Sequence, residues 1–253
     1  MNWQQTITLS LIVFFIQPVK TRAIGPPVSD SSLPVIRTVA AYQKTIKNTA
    51  GKQLINLQTY IPGIITELRY AEANNFMQQQ LYPTNAIALL RLDAAIALKK
   101  VQLELNQAQL GIKIWDAYRP YSITVKMWNL IKDERFVADP RKGSGHNRGI
   151  AVDLTLINLS DGQEIFMGTG FDHFSDTAHH AFKNLPEEIL AKRQLLKSTM
   201  EKYGFKALET EWWHYYLIPA DKYELLDIPF KAFTKDKKRQ SALTINLQQN
   251  YQE

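Results

Sequence analysis

Two short stretches of this chain bring together side chains that can hold a metal ion and move protons. The first runs Ser144-Gly145-His146-Asn147-Arg148-Gly149-Ile150-Ala151-Val152-Asp153, and its front half, with Gly143, Gly145 and Gly149, reads as a loop. From Ile150 the pattern alternates: Ile150, Val152, Leu154 and Leu156 share one face, and Ala151, Asp153 and Thr155 share the other. Asp153 is then a lone acid on a strand whose opposite face is core, so its own face must border a wet or functional cavity. A histidine on the preceding turn can fold back over that face and share an ion with it. The second stretch is Glu211-Trp212-Trp213-His214-Tyr215-Tyr216-Leu217, whose aromatic content predicts a strand. In a regular strand Glu211 and His214 would face opposite sides, so reaching one site requires a bulge or turn near the tryptophan pair. That pair would also bury the site and lower its dielectric, strengthening charge interactions there.

These stretches supply two imidazoles, one carboxylate placed to ligate and one spare carboxylate. Catalytic zinc takes three protein ligands and leaves a fourth position open, and a nearby carboxylate can take the proton of an attacking water. The chain has no cysteine, which excludes disulfides, thiolate metal sites and cysteine nucleophiles and leaves nitrogen and oxygen as metal donors. Serine chemistry lacks its usual settings. Gly143-Ser144-Gly145 does not complete a G-x-S-x-G elbow, no serine is followed three places later by lysine, and no H-E-x-x-H helix occurs. Taken singly, each motif keeps a plainer reading: His146 as a loop cap, Glu211 as the partner of an arginine.

The elements that must position these residues can be read along the 253 positions. An apolar run from Ile7 to Ile16, followed by Thr21-Arg22-Ala23, has the pattern of an export signal (residues 1–23) cleaved after Ala23. It is too short to span a bilayer as a helix, so no stable membrane span is expected after processing, and the protein is expected to be periplasmic or secreted. Residues 24–53 read as a spacer and a short amphipathic helix, with Val35, Ile36, Val39, Tyr42 and Ile46 at helical spacing. The main domain is expected over 54–231. Asp93 would cap a helix through Leu98, Val101 and Leu105 that stops at Gly111, followed by a strand over Ile112 to Asp116. Arg119-Pro120 would turn the chain into a helix around Ile123 to Ile131, and a long helix is expected from about Pro186 to Tyr203, with Gly204 just past its end. Helices and strands intermix without regular alternation, which favours a single α+β domain. The formal net charge is +6, with a cluster at Lys235, Lys237, Lys238 and Arg239. That cluster lies in a basic, Gln/Asn-rich tail (232–253) and reads as solvated, so a nucleic-acid partner is not expected.

Together, S-x-H-x-x-G-x-A-x-D (Ser144 to Asp153) and E-x-W-H (Glu211 to His214) resemble the D-alanyl-D-alanine dipeptidases, a branch of the zinc DD-peptidases related to hedgehog domains. Tyr70-Ala71 with Asn75-Phe76, Trp115 to Pro120, Met167-Gly168-Thr169 with Phe171-Asp172, and His179-His180-Ala181 are similar to the same branch, in the same order. The resemblance covers roughly Leu57 to Lys231. It implies a central, mainly antiparallel sheet flanked by helices, and one zinc ion held by His146, Asp153 and His214. It also implies Glu211 as general base and Arg119 as the donor to the oxyanion, a role in which preorganised donors have large effects. Ser144 and Asp172 are similar to the residues that hold the ammonium of a small D,D-dipeptide substrate. For Arg119 a structural ion pair with Asp116 or Glu67 is the alternative, and for Asp172 a turn cap after Gly170. His179 and His180 are expected to be structural.

Three classes of function remain to be weighed: a dipeptidase, a DD-carboxypeptidase or endopeptidase trimming wall stem peptides on the same metal, and an inactive wall-binding module. An ammonium clamp at Asp172 separates the first from the second. The presence of Glu211 beside all three ligand types argues against the third.

Overall fold

The computed structural model describes residues 33–234; the expected signal at 1–23 and the Lys235 to Arg239 cluster lie outside the described residues. In chain order the elements are β1 (Val35–Ile36), α1 (Val39–Ile46), β2 (Leu54–Asn56), α2 (Leu57–Tyr60), β3 (Ile65–Thr66), β4 (Leu89–Arg91), α3 (Leu92–Asn106), β5 (Leu110–Asp116), α4 (Tyr121–Ile131), α5 (Gly145–Arg148), β6 (Ala151–Asn158), α6 (Glu187–Lys202), β7 (Phe205–Leu208), β8 (Glu211–Leu217), β9 (Leu225–Leu226) and α7 (Lys231–Thr234). The central sheet runs β3-β5-β6-β8-β7 and is antiparallel except for β3, which lies parallel to β5. The α+β expectation with a mainly antiparallel sheet holds.

Helices α3 and α6 cover one face of this sheet. Leu92, Ala95, Leu98, Val101 and Leu105 recur at helical spacing on α3 and are all buried. They join Ile112, Ile114, Val152, Leu154 and Leu156 from the sheet, and Leu196 and Met200 from α6, in one apolar core. A second core gathers Tyr42 of α1 with Leu54, Leu89, Tyr118, Leu226 and Phe233, so packing carries the folded body beyond 54–231 at both ends.

Three local expectations need correction. Val35 and Ile36 form a strand pairing in parallel with Leu225 and Leu226, and the helix begins only at Val39, where the Thr38 side chain accepts the Ala41 N–H. Two residues with a paired edge gain more as a strand than as an uncapped helical turn. On α3, Asp93 sits in the first turn and makes no cap; its carboxylate accepts the Tyr223 hydroxyl at 2.7 Å. The helix stops at Asn106, and Gln109 at φ +57° turns the chain. Gly111 is instead inside β5, where a Cβ would lie 2.8 Å from Leu159, so its smallness serves close approach and not helix termination.

Two irregularities in the sheet set up the site. Along β5 and β6 the register shifts between Ile114 and Asp116, leaving Trp115 as an extra residue, and Asp116 comes to stand opposite Asp153. Without that bulge Asp116 would face Val152 on the core side. On β8, Tyr215 pairs with Ala207 but Glu211 pairs with Leu208, so Trp212, Trp213 and His214 are bulged out between them.

Candidate metal centre

His146 lies on α5, a single turn whose start is capped by Ser144: the Ser144 Oγ accepts the Asn147 N–H at 3.3 Å. Gly149, at φ +70°, closes that turn in the left-handed region where a side chain would be strained, and it feeds the chain directly into β6. Asp153, the third residue of β6, is then directly opposite His214 of β8. The three side chains converge. His146 Nε2 is 3.3 Å from an Asp153 oxygen and 3.2 Å from His214 Nδ1, and His214 Nδ1 is 2.8 Å from the other Asp153 oxygen. Among the described residues these form the one group able to share a metal ion.

The donor chemistry fits zinc. His146 Nδ1 is 2.7 Å from the Ala117 carbonyl, which can only accept, so that nitrogen carries the proton and Nε2 keeps its lone pair for a metal. Burial alone would raise the Asp153 carboxyl, but His146 and His214 pull it well below the usual carboxylate range and keep it ionised. Two imidazole nitrogens and one carboxylate, on a backbone that fixes each, match the three protein ligands of a catalytic zinc site.

The same cavity, of about 580 Å³, is lined by Glu211, Arg119, Ser144 and Asp172 as well as the triad. The bulge predicted near the tryptophan pair is present, and it lets Glu211 and His214 border one space. Burial pushes the Glu211 carboxyl up to about 7; Asp153 adds to this, while His214 and Arg119 oppose it. Arg119 forms the ion pair with Asp116, through Nε at 3.0 Å and Nη2 at 2.6 Å, and still faces the cavity. Glu67 pairs with Arg69 and Lys113 instead. Asp116 is itself held by the Tyr82 hydroxyl at 2.7 Å, and the Arg119 N–H donates to the His146 carbonyl at 3.1 Å, so cation and ligand share one scaffold.

Asp172 sits at φ +56° on the loop after β6 and turns its carboxylate into the cavity, where it accepts the Tyr70 hydroxyl at 3.0 Å. Burial, then the nearby Asp153 and Glu211 carboxylates, raise its carboxyl well above the usual range, against the pull of Tyr70 and Arg119. Such a group ionises readily only when a cation arrives beside it. His180 lies away from the triad, its N–H donating to the Glu209 carbonyl and its ring edge-on to Tyr215.

The sequence reading passed over Arg193. This buried arginine of α6 donates to the carbonyls of Met167 at 2.6 Å, Thr177 at 2.9 Å and His179 at 3.3 Å. It lies over Trp212, whose indole N–H donates to the Thr169 hydroxyl at 2.7 Å. The loop carrying Asp172 is therefore tied both to α6 and to the β8 bulge. The available signal was an arginine inside the apolar stripe Ile189, Leu196, Met200.

The family model described as D-ala-D-ala dipeptidase, Peptidase_M15, matches residues 50–236. The D-alanyl-D-alanine dipeptidase of Escherichia coli (strain K12) is 35% identical over 181 residues, covering 72% of this chain and 93% of that protein. The protein of the same name from Enterococcus faecalis (strain ATCC 700802 / V583) is 31% identical over 182 residues, covering 64% of this chain and 90% of that one. A third, from Streptomyces coelicolor (strain ATCC BAA-471 / A3(2) / M145), is 32% identical over 177 residues, covering 62% and 87%.

Proposed function

Because this chain belongs to the D-alanyl-D-alanine dipeptidase family of peptidases, we propose that it hydrolyses D-alanyl-D-alanine to two D-alanine molecules with one zinc ion per chain. The observation that carries this reading is the convergence of His146, Asp153 and His214 in a cavity that also holds Glu211. The two histidines and Asp153 would hold the ion. When bound, zinc supplies Lewis acidity to a peptide carbonyl and to water.

The chain's own residues account for the remaining steps. Glu211, which lines the same cavity as the triad, takes the proton of the attacking water and returns it to the leaving amine. Arg119, fixed by Asp116, donates to the oxygen of the scissile carbonyl as negative charge develops there. Asp172 pairs with the substrate ammonium, with Ser144 beside it, and Tyr70 holds the carboxylate in place. A blocked or longer peptide would leave that half-buried acid without its cation, and the penalty selects free dipeptides.

The apolar run Ile7 to Ile16 and the small residues before Ile24 support export, with action on wall-derived dipeptides outside the cytoplasm. A mature protein recovered from the extracytoplasmic fraction should start at Ile24; an intact Met1 there would refute cleavage. For the activity, mass spectrometry of products from D-Ala-D-Ala and from a wall pentapeptide, each with and without zinc, is the test. Zinc-dependent release of D-alanine from the dipeptide alone is expected. Release from the pentapeptide alone would assign the site to a carboxypeptidase.

A further inference from the structure

The cavity is roomy for two alanines. Its 580 Å³ falls within the span of about 300–1,000 Å³ typical of pockets for much larger ligands. The surplus is lined unevenly. Beyond Asp172 the wall is aromatic: Phe76, Phe136 and Phe174, three rings from three separate segments, all half-buried and all facing the cavity. Phe174 sits 5.1 Å from Phe76, edge-on, and 4.7 Å from Phe136. Phe76 in turn meets the Tyr70 ring at 6.2 Å, and Tyr70 is the residue bonded to Asp172. Rings braced in this way keep a fixed apolar surface, and the part still open to the cavity gains free energy when something apolar covers it. The lining also carries polar side chains at Lys142, Arg148 and Asp221.

We propose that the Phe76, Phe136 and Phe174 wall is the subsite for the side chain of the ammonium-bearing residue, and that D,D-dipeptides with a bulky apolar first residue are better substrates than D-Ala-D-Ala. This rests on the dipeptidase reading and on Asp172 as the ammonium partner. Ammonium and side chain leave the same carbon, so a side chain at that position must project among the neighbours of Asp172. On one side those neighbours are Tyr70, Phe76 and Phe174. An alanine methyl leaves most of this wall wet, whereas a leucine or phenylalanine side chain covers it.

The test compares kcat/KM for D-Phe-D-Ala, D-Leu-D-Ala and D-Ala-D-Ala on the zinc-loaded full chain. The bulky substrates should exceed D-Ala-D-Ala by roughly tenfold, the scale of one or two buried methylenes in an apolar pocket. In Phe174→Ala, and in the milder Phe136→Leu, the ratio of D-Phe-D-Ala to D-Ala-D-Ala should fall at least about threefold. Dissociation constants of the same dipeptides on Glu211→Gln, measured by calorimetry, should follow the same order. Poorer use of D-Phe-D-Ala than of D-Ala-D-Ala, or a ratio that neither variant moves, overturns the subsite while leaving the dipeptidase reading intact. Cleavage of D-Phe-D-Ala without cleavage of D-Ala-D-Ala supports the subsite and removes D-Ala-D-Ala as the substrate. Cleavage of none overturns both.

Discussion

Glu211 and His214, three residues apart on one strand, face the same cavity because β8 bulges by three residues opposite the step from Ala207 to Leu208. The bulge places an acid in the same cavity that is not one of the three converging donor groups. It follows that the two residues can be separated by experiment. Glu211→Gln should keep one zinc per chain by elemental analysis and lose about 10²- to 10⁴-fold in kcat, the usual contribution of a general base. His214→Ala should lose the zinc as well. Near-native turnover in Glu211→Gln would end the base assignment.

Asp172→Asn keeps the shape of the clamp and removes its charge. Truncating one partner of a desolvated charge pair typically costs about 2–5 kcal/mol, so kcat/KM for D-Ala-D-Ala should drop by at least roughly tenfold. The N-acetylated dipeptide should be a poor substrate of the native enzyme and should lose less from the substitution. Equal turnover of free and acetylated dipeptide would eliminate the clamp.

Arg193 touches no cavity atom, yet it holds the loop on which Asp172 stands. Arg193→Gln removes donors to three carbonyls and should raise KM for the free dipeptide several-fold more than it lowers kcat, since those carbonyls all belong to the segment Met167 to His179 that carries Asp172. The preference for free over acetylated dipeptide should weaken in parallel. A uniform fall in activity with KM unchanged would mark Arg193 as structural only.

Burial, reinforced by Lys197, pushes the His180 imidazole down to about 4, and its Nε2 has no hydrogen-bond partner. An unfolded chain protonates histidine near 6.5. Between about 6.5 and 4 the unfolded state binds a proton that the fold refuses, so stability falls as pH drops through that window and is unaffected by His180 above it. The thermal midpoint should decline from pH 7 toward 4, and less steeply in His180→Gln. Parallel declines in the two proteins would clear His180 of the effect.

Much of the site was legible because its signals are local. The alternation from Ile150 to Leu156 exposed Asp153 as the odd residue, and the three-residue spacing of Glu211 and His214 demanded a bulge that β8 has. The Trp115 bulge gave no such warning, since Ile112 to Asp116 reads as an ordinary strand and only pairing with β6 reveals the extra residue. Val35 and Ile36 were misread for the same reason: their apolar spacing suits a helix, and the strand exists only because Leu225 and Leu226 lie beside it. Gly111 shows the reverse case, a residue whose local meaning as a helix stop yields to the crowding of Leu159.

The short parallel pair of β1 and β9 has a kinetic meaning. It joins segments about 190 positions apart, with Arg37 and Asp227 adding an ion pair at its rim. The entropy of closing so long a loop rises only logarithmically with length, but the search for such distant partners is slow, and contacts of this kind form after local ones. The antiparallel neighbours β5, β6 and β8, which carry Asp116, Asp153 and His214, lie nearer one another in sequence and can assemble without it. Folding should therefore build the metal-binding residues first and join Val35–Ile36 to Leu225–Leu226 last, and the same pairing should be the first to open when the native protein fluctuates.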